Sequence, residues 1–157
     1  MGRQFFFDVY HYFTLKSLTE SSDERIAGIA AKALKEVTYH LRRSSEWVKR
    51  FGDGTEESHR RMQDAVDILW RFTGELITPD DTDRVMAEAG IGPDTDQLAK
   101  DWRGMVNEVL TQATLTPGAE DAWMYMGGKH GEHTEHLGFI LAEMQFLQRA
   151  YPDATTW

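Results

Sequence analysis

A chain of 157 residues with 41% hydrophobic content is long enough to bury a core and too apolar to be a disordered segment. Its formal charge of −9 argues against a nucleic-acid surface. The absence of cysteine excludes a disulfide framework and any thiolate metal site, and a reducing compartment is the natural expectation.

Residues 3–19 predict a first helix. The N-terminal run MGRQFFFDVYHYF is interrupted by Asp8 and His11, lacks a signal-peptide cleavage site and is too short and polar to cross a bilayer. Phe5, Phe6, Phe7, Val9, Tyr10, Tyr12, Phe13, Leu15 and Leu18 surround nearly the whole cylinder, the pattern of a buried helix. About four of these side chains left in water would forfeit roughly 6–12 kcal/mol. That is comparable with a whole domain's stability of about 5–15 kcal/mol. The helix therefore needs neighbours on most sides, and the expectation is that some lie upstream of Met1 or on another chain.

The second helix, over 22–51, carries its apolar residues at Ile26, Ile29/Ala30, Ala33, Val37, Leu41, Trp47/Val48 and Phe51, a single face. Ser21 and Glu24 have the spacing of a reciprocal cap, and Gly52-Asp53-Gly54 is a stop. Thr55, followed by Glu56 and Glu57, starts a third helix predicted over 55–77, which Gly74 weakens. Pro79-Asp80-Asp81-Thr82 begins a short helix over 80–90, and Gly90-Ile91-Gly92-Pro93 ends it. Asp94 or Thr95 caps a helix over 95–113. Thr114 to Gly131 reads as irregular, and a last helix spans about 132–150, closed by Pro152. No strand-length alternation, repeat or linker interrupts this order, so the prediction is one all-α domain over residues 1–157.

Three constellations bear on chemistry. Glu36 has Tyr39 three residues on and His40 four on. Carboxylate-bridged metal proteins built on four helices use Glu-x-x-His, so this helix reads as a metal-binding helix in which Tyr39 replaces a ligand. Asp8 and His11 on the first helix complete that set, short of the four carboxylates and two histidines of a dinuclear site. As plain buried polar groups they would pair with each other, with Lys32 or Lys35, or with a partner chain. The second constellation is His130, His133 and His136 with Glu132, Glu135 and Glu143, where 133 and 136 have metal-ligand spacing on one helix face but no third ligand is evident. Capping and interface contacts are the favoured role. The third is basic: Arg42, Arg43, Lys49, Arg50, Arg60 and Arg61 surround the turn between helices two and three. Residues 75–96, by contrast, hold seven acidic side chains and one arginine, Arg84. Both are mostly solvated faces; the basic one also suits an acidic partner or phosphates. No phosphate loop, nucleophile elbow or dinucleotide fingerprint is present.

The stretches KALKEVTYHLRRSSEWVKRFGDGTEESHRRMQ (32–63) and GKHGEHTEHLGFILAEMQFLQRAYP (128–152), with the less specific RQFFFDVYHYF (3–13), closely resemble the C subunits (PaaC) of ring-1,2-phenylacetyl-CoA epoxidases. Residues 3–77 and 128–157 carry the likeness throughout, and the segment between them more loosely. The resemblance implies a ferritin-like helical fold and membership of a multicomponent monooxygenase of phenylacetate catabolism. In that system the sister A subunit holds the di-iron centre that epoxidises the aromatic ring, fed by an NADPH-dependent flavin and iron–sulfur reductase. The C subunit has no working metal site and holds A in its active form.

The resemblance also implies a further pair of long helices ahead of the segment matching 3–13, so the expected architecture is a ferritin-like bundle lacking the first helix pair of its core. The expected function is a non-catalytic, cofactor-free, cytoplasmic structural subunit that binds the di-iron A subunit, with no nucleic acid or membrane among its partners. Asp8, His11, Glu36, Tyr39 and His40 would mark the relic of the metal site. Arg42, Arg43, Arg60, Arg61, His133 and His136 are the candidate docking residues, and the aromatic first helix is a candidate for self-association. Two alternatives stay open: a homodimer that rebuilds a di-metal site from Asp8, His11 and Glu36 of two chains, or an inactive fragment that depends on its partner.

Overall fold

The computed structural model describes residues 1–156, and among them every regular element is helical. Two compact units are present, one from Met1 to Tyr125 and one from Met126 onward.

The first unit is built around α1 (Gly2–Leu18), which packs along α2 (Glu24–Gly52) and also touches α3 (Glu56–Trp70) and α5 (Thr95–Gln112). Phe5, Phe6, Val9 and Leu15 are buried, whereas Phe7, Tyr10, Tyr12, Phe13 and Leu18 are half-buried. Its neighbours inside the unit thus cover much of the aromatic cylinder. The main core joins Phe5, Phe6 and Val9 to Leu41 and Val48 of α2, Met62, Val66 and Trp70 of α3, and Trp102, Val106 and Leu110 of α5. A smaller cluster of Leu15, Ala30 and Val37 continues the α1–α2 contact.

Three aromatic rings anchor the core. Phe6, Trp70 and Trp102 lie with ring centroids 6.0–6.1 Å apart. Each indole N–H has an acceptor: Trp102 Nε1 donates to the Phe6 carbonyl at 3.0 Å, and Trp70 Nε1 donates to the Ala119 carbonyl at 3.1 Å.

The helix ends follow local chemistry and differ from expectation in two places in this unit. Ser21 does not cap α2. Asp23 does, its Oδ1 accepting from the backbone N–H of Arg25 and Ile26, while the Ser21 hydroxyl donates to the Ile91 carbonyl at 2.9 Å. The third helix stops at Trp70 instead of running to 77. The Thr73 hydroxyl takes up the Trp70 carbonyl at 2.8 Å, and Gly74 opens a 3-10 turn to Leu76 against Met124. A Cβ at Gly74 would lie 2.7 Å from Met124 Cγ, so only glycine lets the turn sit so close. The predicted cap Thr55 does serve α3, accepting from Ser58 N–H, and Asp94 caps α5. The short helix α4 (Asp81–Glu88) starts on a reciprocal cap between Asp80 and Asp83.

After α5 the chain turns at Thr114, whose φ is +59°, and runs irregularly as expected. Gln63 holds this segment through two hydrogen bonds with the Thr116 backbone, at 3.0 and 2.9 Å. Tyr125 N–H donates to the Arg71 carbonyl, and its ring stacks on Phe72 at 4.9 Å.

In the second unit the predicted helix over 132–150 is shorter and broken. It comprises α6 (His136–Met144) and α7 (Phe146–Ala150), separated at Gln145. Positive φ at Gly127 and Gly131 and a bond from Glu132 N–H to the Gly127 carbonyl fold residues 127–132 into a turn, which delays the helix start. Phe139, Ile140, Met144, Phe146, Leu147 and Tyr151 are all exposed.

Candidate functional site

The ligand-type positions lie in two different environments. Asp8 is enclosed, 2% exposed. It takes neither Lys32 nor Lys35 as partner: Gln4 Nε2 donates to its Oδ1 at 2.6 Å, and Oδ2 has no hydrogen-bond partner among the described residues. The Thr14 hydroxyl on the same helix is likewise unpartnered. A buried carboxylate oxygen with no donor forfeits hydrogen bonds that water would have supplied. His11 is half-buried, its ring 5.2 Å from that of Phe7.

Glu36, Tyr39 and His40 stand on the exposed side of α2. The Tyr39 ring lies 6.2 Å from that of His40 and carries the Arg42 guanidinium 5.6 Å above it. Among the described residues no group of three or more His, Cys, Asp or Glu side chains is close enough to hold a metal ion. The donors present therefore do not make the ligand set of a dinuclear centre: one carboxylate is enclosed, another faces outward, and a phenol stands at the i+3 position.

The basic region divides into two electrostatic kinds. On α3, Glu57 accepts from Arg60 at 2.9 Å and from Arg61 at 2.6 Å, while Arg60 also meets Asp64 at 3.0 Å. The hydrogen bond from Arg60, then that from Arg61, holds the Glu57 carboxyl below the usual glutamate range, and the same contact raises the Arg60 guanidinium further. Both cations of α3 are thus already matched. On α2 two cations sit on aromatic faces, Arg42 on Tyr39 and Arg50 on Trp47 at 5.4 Å, while Lys49 meets Glu46 at 3.8 Å. Arg43 is exposed and has no ion-pair or hydrogen-bond partner among the described residues. With Ile29, Tyr39 and Trp47 also exposed, α2 offers a mixed aromatic and cationic strip along a 29-residue helix.

The histidines do not share a helix face. α6 begins at His136, so His133 precedes it, and both are exposed. The arrangement that sequence spacing did not anticipate is at the far end of α2. His59 Nδ1 lies 2.7 Å from the Gly52 carbonyl, which also accepts from the Thr114 hydroxyl at 3.2 Å. Only the stop signal at 52–54 marked this junction in the sequence.

These features define an all-α protein whose ligand-type residues are dispersed and whose longest helix carries an exposed face suited to protein contact. The chain belongs to the phenylacetic acid catabolic protein family, whose model matches residues 1–157. It is 46% identical over 152 residues to the C subunit of the 1,2-phenylacetyl-CoA epoxidase of Escherichia coli (strain K12). The match covers 97% of this chain and 61% of that protein, so the chain spans about three-fifths of the length of its curated relative. No helix among the described residues is long and apolar enough to cross a membrane.

Proposed function

We propose that this chain is a non-catalytic structural subunit of a phenylacetyl-CoA epoxidase, a cytoplasmic, cofactor-free protein that supports a di-iron catalytic A subunit. The observation that carries the reading is the outward-facing Glu36–Tyr39 pair on α2, with Asp8 enclosed on α1. A phenol in place of imidazole, with its face taken by Arg42, serves contact better than metal ligation. The likeness to the Escherichia coli C subunit supports the same assignment.

Within this reading the α2 strip is the preferred docking face. Arg42 and Arg43 remain available to an acidic partner, whereas Arg60 and Arg61 are neutralised by Glu57 and Asp64. His133 and His136 are exposed on the second unit.

The test is native mass determination of the chain alone and after co-expression with the A subunit, with iron counted in the same samples. The expected result is an iron-free chain that joins A in a fixed stoichiometry, and loss of that association in an Arg42→Glu/Arg43→Glu variant. A stable homodimer holding about two irons would overturn the reading and make the protein an enzyme rebuilt from two chains. Intact association of the charge-reversed variant would remove the α2 strip from the interface.

A further inference from the structure

Between α3, α5 and the segment 117–124 of the first unit lies a partly enclosed pocket of about 200 Å³. Its apolar walls include Trp70, Trp102 and Met124. Both indole N–H groups are already committed, to the Ala119 and Phe6 carbonyls, so these side chains offer only ring surface to an occupant. The Thr73 hydroxyl is spent on the Trp70 carbonyl. A cavity of about 150 Å³ lined by apolar side chains holds benzene. The space here therefore suits one aromatic ring or a branched aliphatic chain.

Polar recognition falls to Arg103, Asn107 and Glu120, which also line the pocket. All three are exposed, and none of their side chains has a hydrogen-bond or ion-pair partner among the described residues. Arg103 and Glu120 thus share one pocket without pairing with each other. A guanidinium alone would select an anion and a carboxylate alone a cation; the two together, with a carboxamide, select a ligand carrying both charges.

The walls are held in place by local chemistry. Gln63 pins Thr116, Trp70 pins Ala119, and Tyr125 pins the far end of the segment to Arg71. Gly118 lies so close to Trp70 that a Cβ there would fall 2.3 Å from the indole Cγ. The pocket therefore exists before any ligand arrives, which reduces the ordering cost of binding. We propose that it binds a small zwitterion with an apolar body, the chemistry of an apolar α-amino acid. Its carboxylate would lie on Arg103, its ammonium on Glu120 and its side chain against Trp70 and Trp102.

The experiment is calorimetric titration of the full chain with L-phenylalanine, 3-phenylpropionate, which lacks the ammonium, and phenethylamine, which lacks the carboxylate. The expected result is saturable one-site binding of L-phenylalanine, with each analogue weaker by about tenfold. Arg103→Ala and Glu120→Gln should each weaken L-phenylalanine by a similar factor, while Glu120→Gln leaves 3-phenylpropionate unchanged. Both residues are exposed and unpartnered, so the variants should melt with the parent, which separates lost binding from lost fold. No saturable binding of L-phenylalanine, equal binding of 3-phenylpropionate, or indifference to both substitutions would overturn the proposal. None of these outcomes bears on association with an A subunit.

Discussion

Trp102 of α5 donates its indole N–H to the carbonyl oxygen of Phe6 on α1, at 3.0 Å, across the best-buried part of the core. Residues 96 positions apart are joined by a directional bond as well as by ring contact at 6.1 Å. Together with the buried faces of Phe5, Phe6 and Val9, the bond fixes the rotation of α1 against α5.

Trp102→Ala should therefore destabilise the protein by about 3–5 kcal/mol, the range for emptying a buried large aromatic site. Trp102→Phe keeps a ring but loses the donor. It should lose at least about 1 kcal/mol for the hydrogen bond alone. Urea unfolding followed by far-ultraviolet circular dichroism measures both. Equal midpoints for Trp102→Phe and the parent would mean that the bond contributes nothing.

The start of α2 separates two serines from one aspartate. Asp23→Ala removes the acceptor for two helix-end N–H groups and should lower stability by about 1 kcal/mol. Ser21→Ala keeps the Asp23 cap of Arg25 and Ile26, giving up only the weak Asp23 N–H contact at 3.3 Å, and should instead loosen the 89–92 turn, where Ser21 and Ser22 bind the Ile91 and Ala89 carbonyls. Hydrogen exchange distinguishes them: faster exchange at Arg25 and Ile26 in the first variant, and at Ile91 and Gly92 in the second. Faster exchange at Arg25 in Ser21→Ala would restore Ser21 as the cap.

This pair also shows how far the sequence could be read. Helix existence and the buried faces followed from periodicity, since Val37, Leu41 and Val48 must share one side of α2 wherever it packs. Asp23 and Ser21 both have cap chemistry, and only the position of the 89–92 turn decides between them. The early end of α3 is equally non-local. Gly74 looked like a mild weakness within a helix, but its neighbour is Met124, fifty residues away. For the candidate site, spacing identified Tyr39 as the departure from a ligand pattern. The i,i+3 and i,i+4 spacing of Glu57 to Arg60 and Arg61 made an ion pair legible on that helix, but several rotamers satisfy the same sequence, and spacing alone did not say that one carboxylate would take both cations.

The Glu57 pair gives a pH prediction. Its carboxyl is held below the usual glutamate range by Arg60 and then Arg61, so the folded form binds that proton less readily than the unfolded chain. Whatever stability this contributes is present above the ordinary glutamate range and is lost as pH falls through the lowered folded value. Because the group is solvent-exposed, the effect should be small and should fade in high salt. Carboxyl carbon-13 titration should place Glu57 below the ordinary glutamate range, and Arg60→Ala should move it back more than Arg61→Ala. A midpoint within the ordinary range would show that the contacts do not persist in solution.

Two glycines of α2 should respond to alanine with opposite signs. Gly28 has nothing within 4 Å of a built Cβ, and it occupies an exposed helical position. Gly28→Ala should therefore stabilise by roughly 0.5–1 kcal/mol, since alanine loses less backbone freedom in a helix. Gly52, at the end of the same helix, sits against the end of α5. A Cβ there would fall 2.1 Å from the Ala113 carbonyl oxygen, a backbone atom that no rotamer change can move aside. Relief requires the two helix ends to part, which also strains the Gly52 carbonyl contacts with His59 and Thr114. Gly52→Ala should destabilise by about 1–3 kcal/mol, as overpacking does. Thermal melts of the two variants beside the parent make the comparison. A neutral Gly52→Ala would mean that the α2–α5 junction is looser than these distances imply.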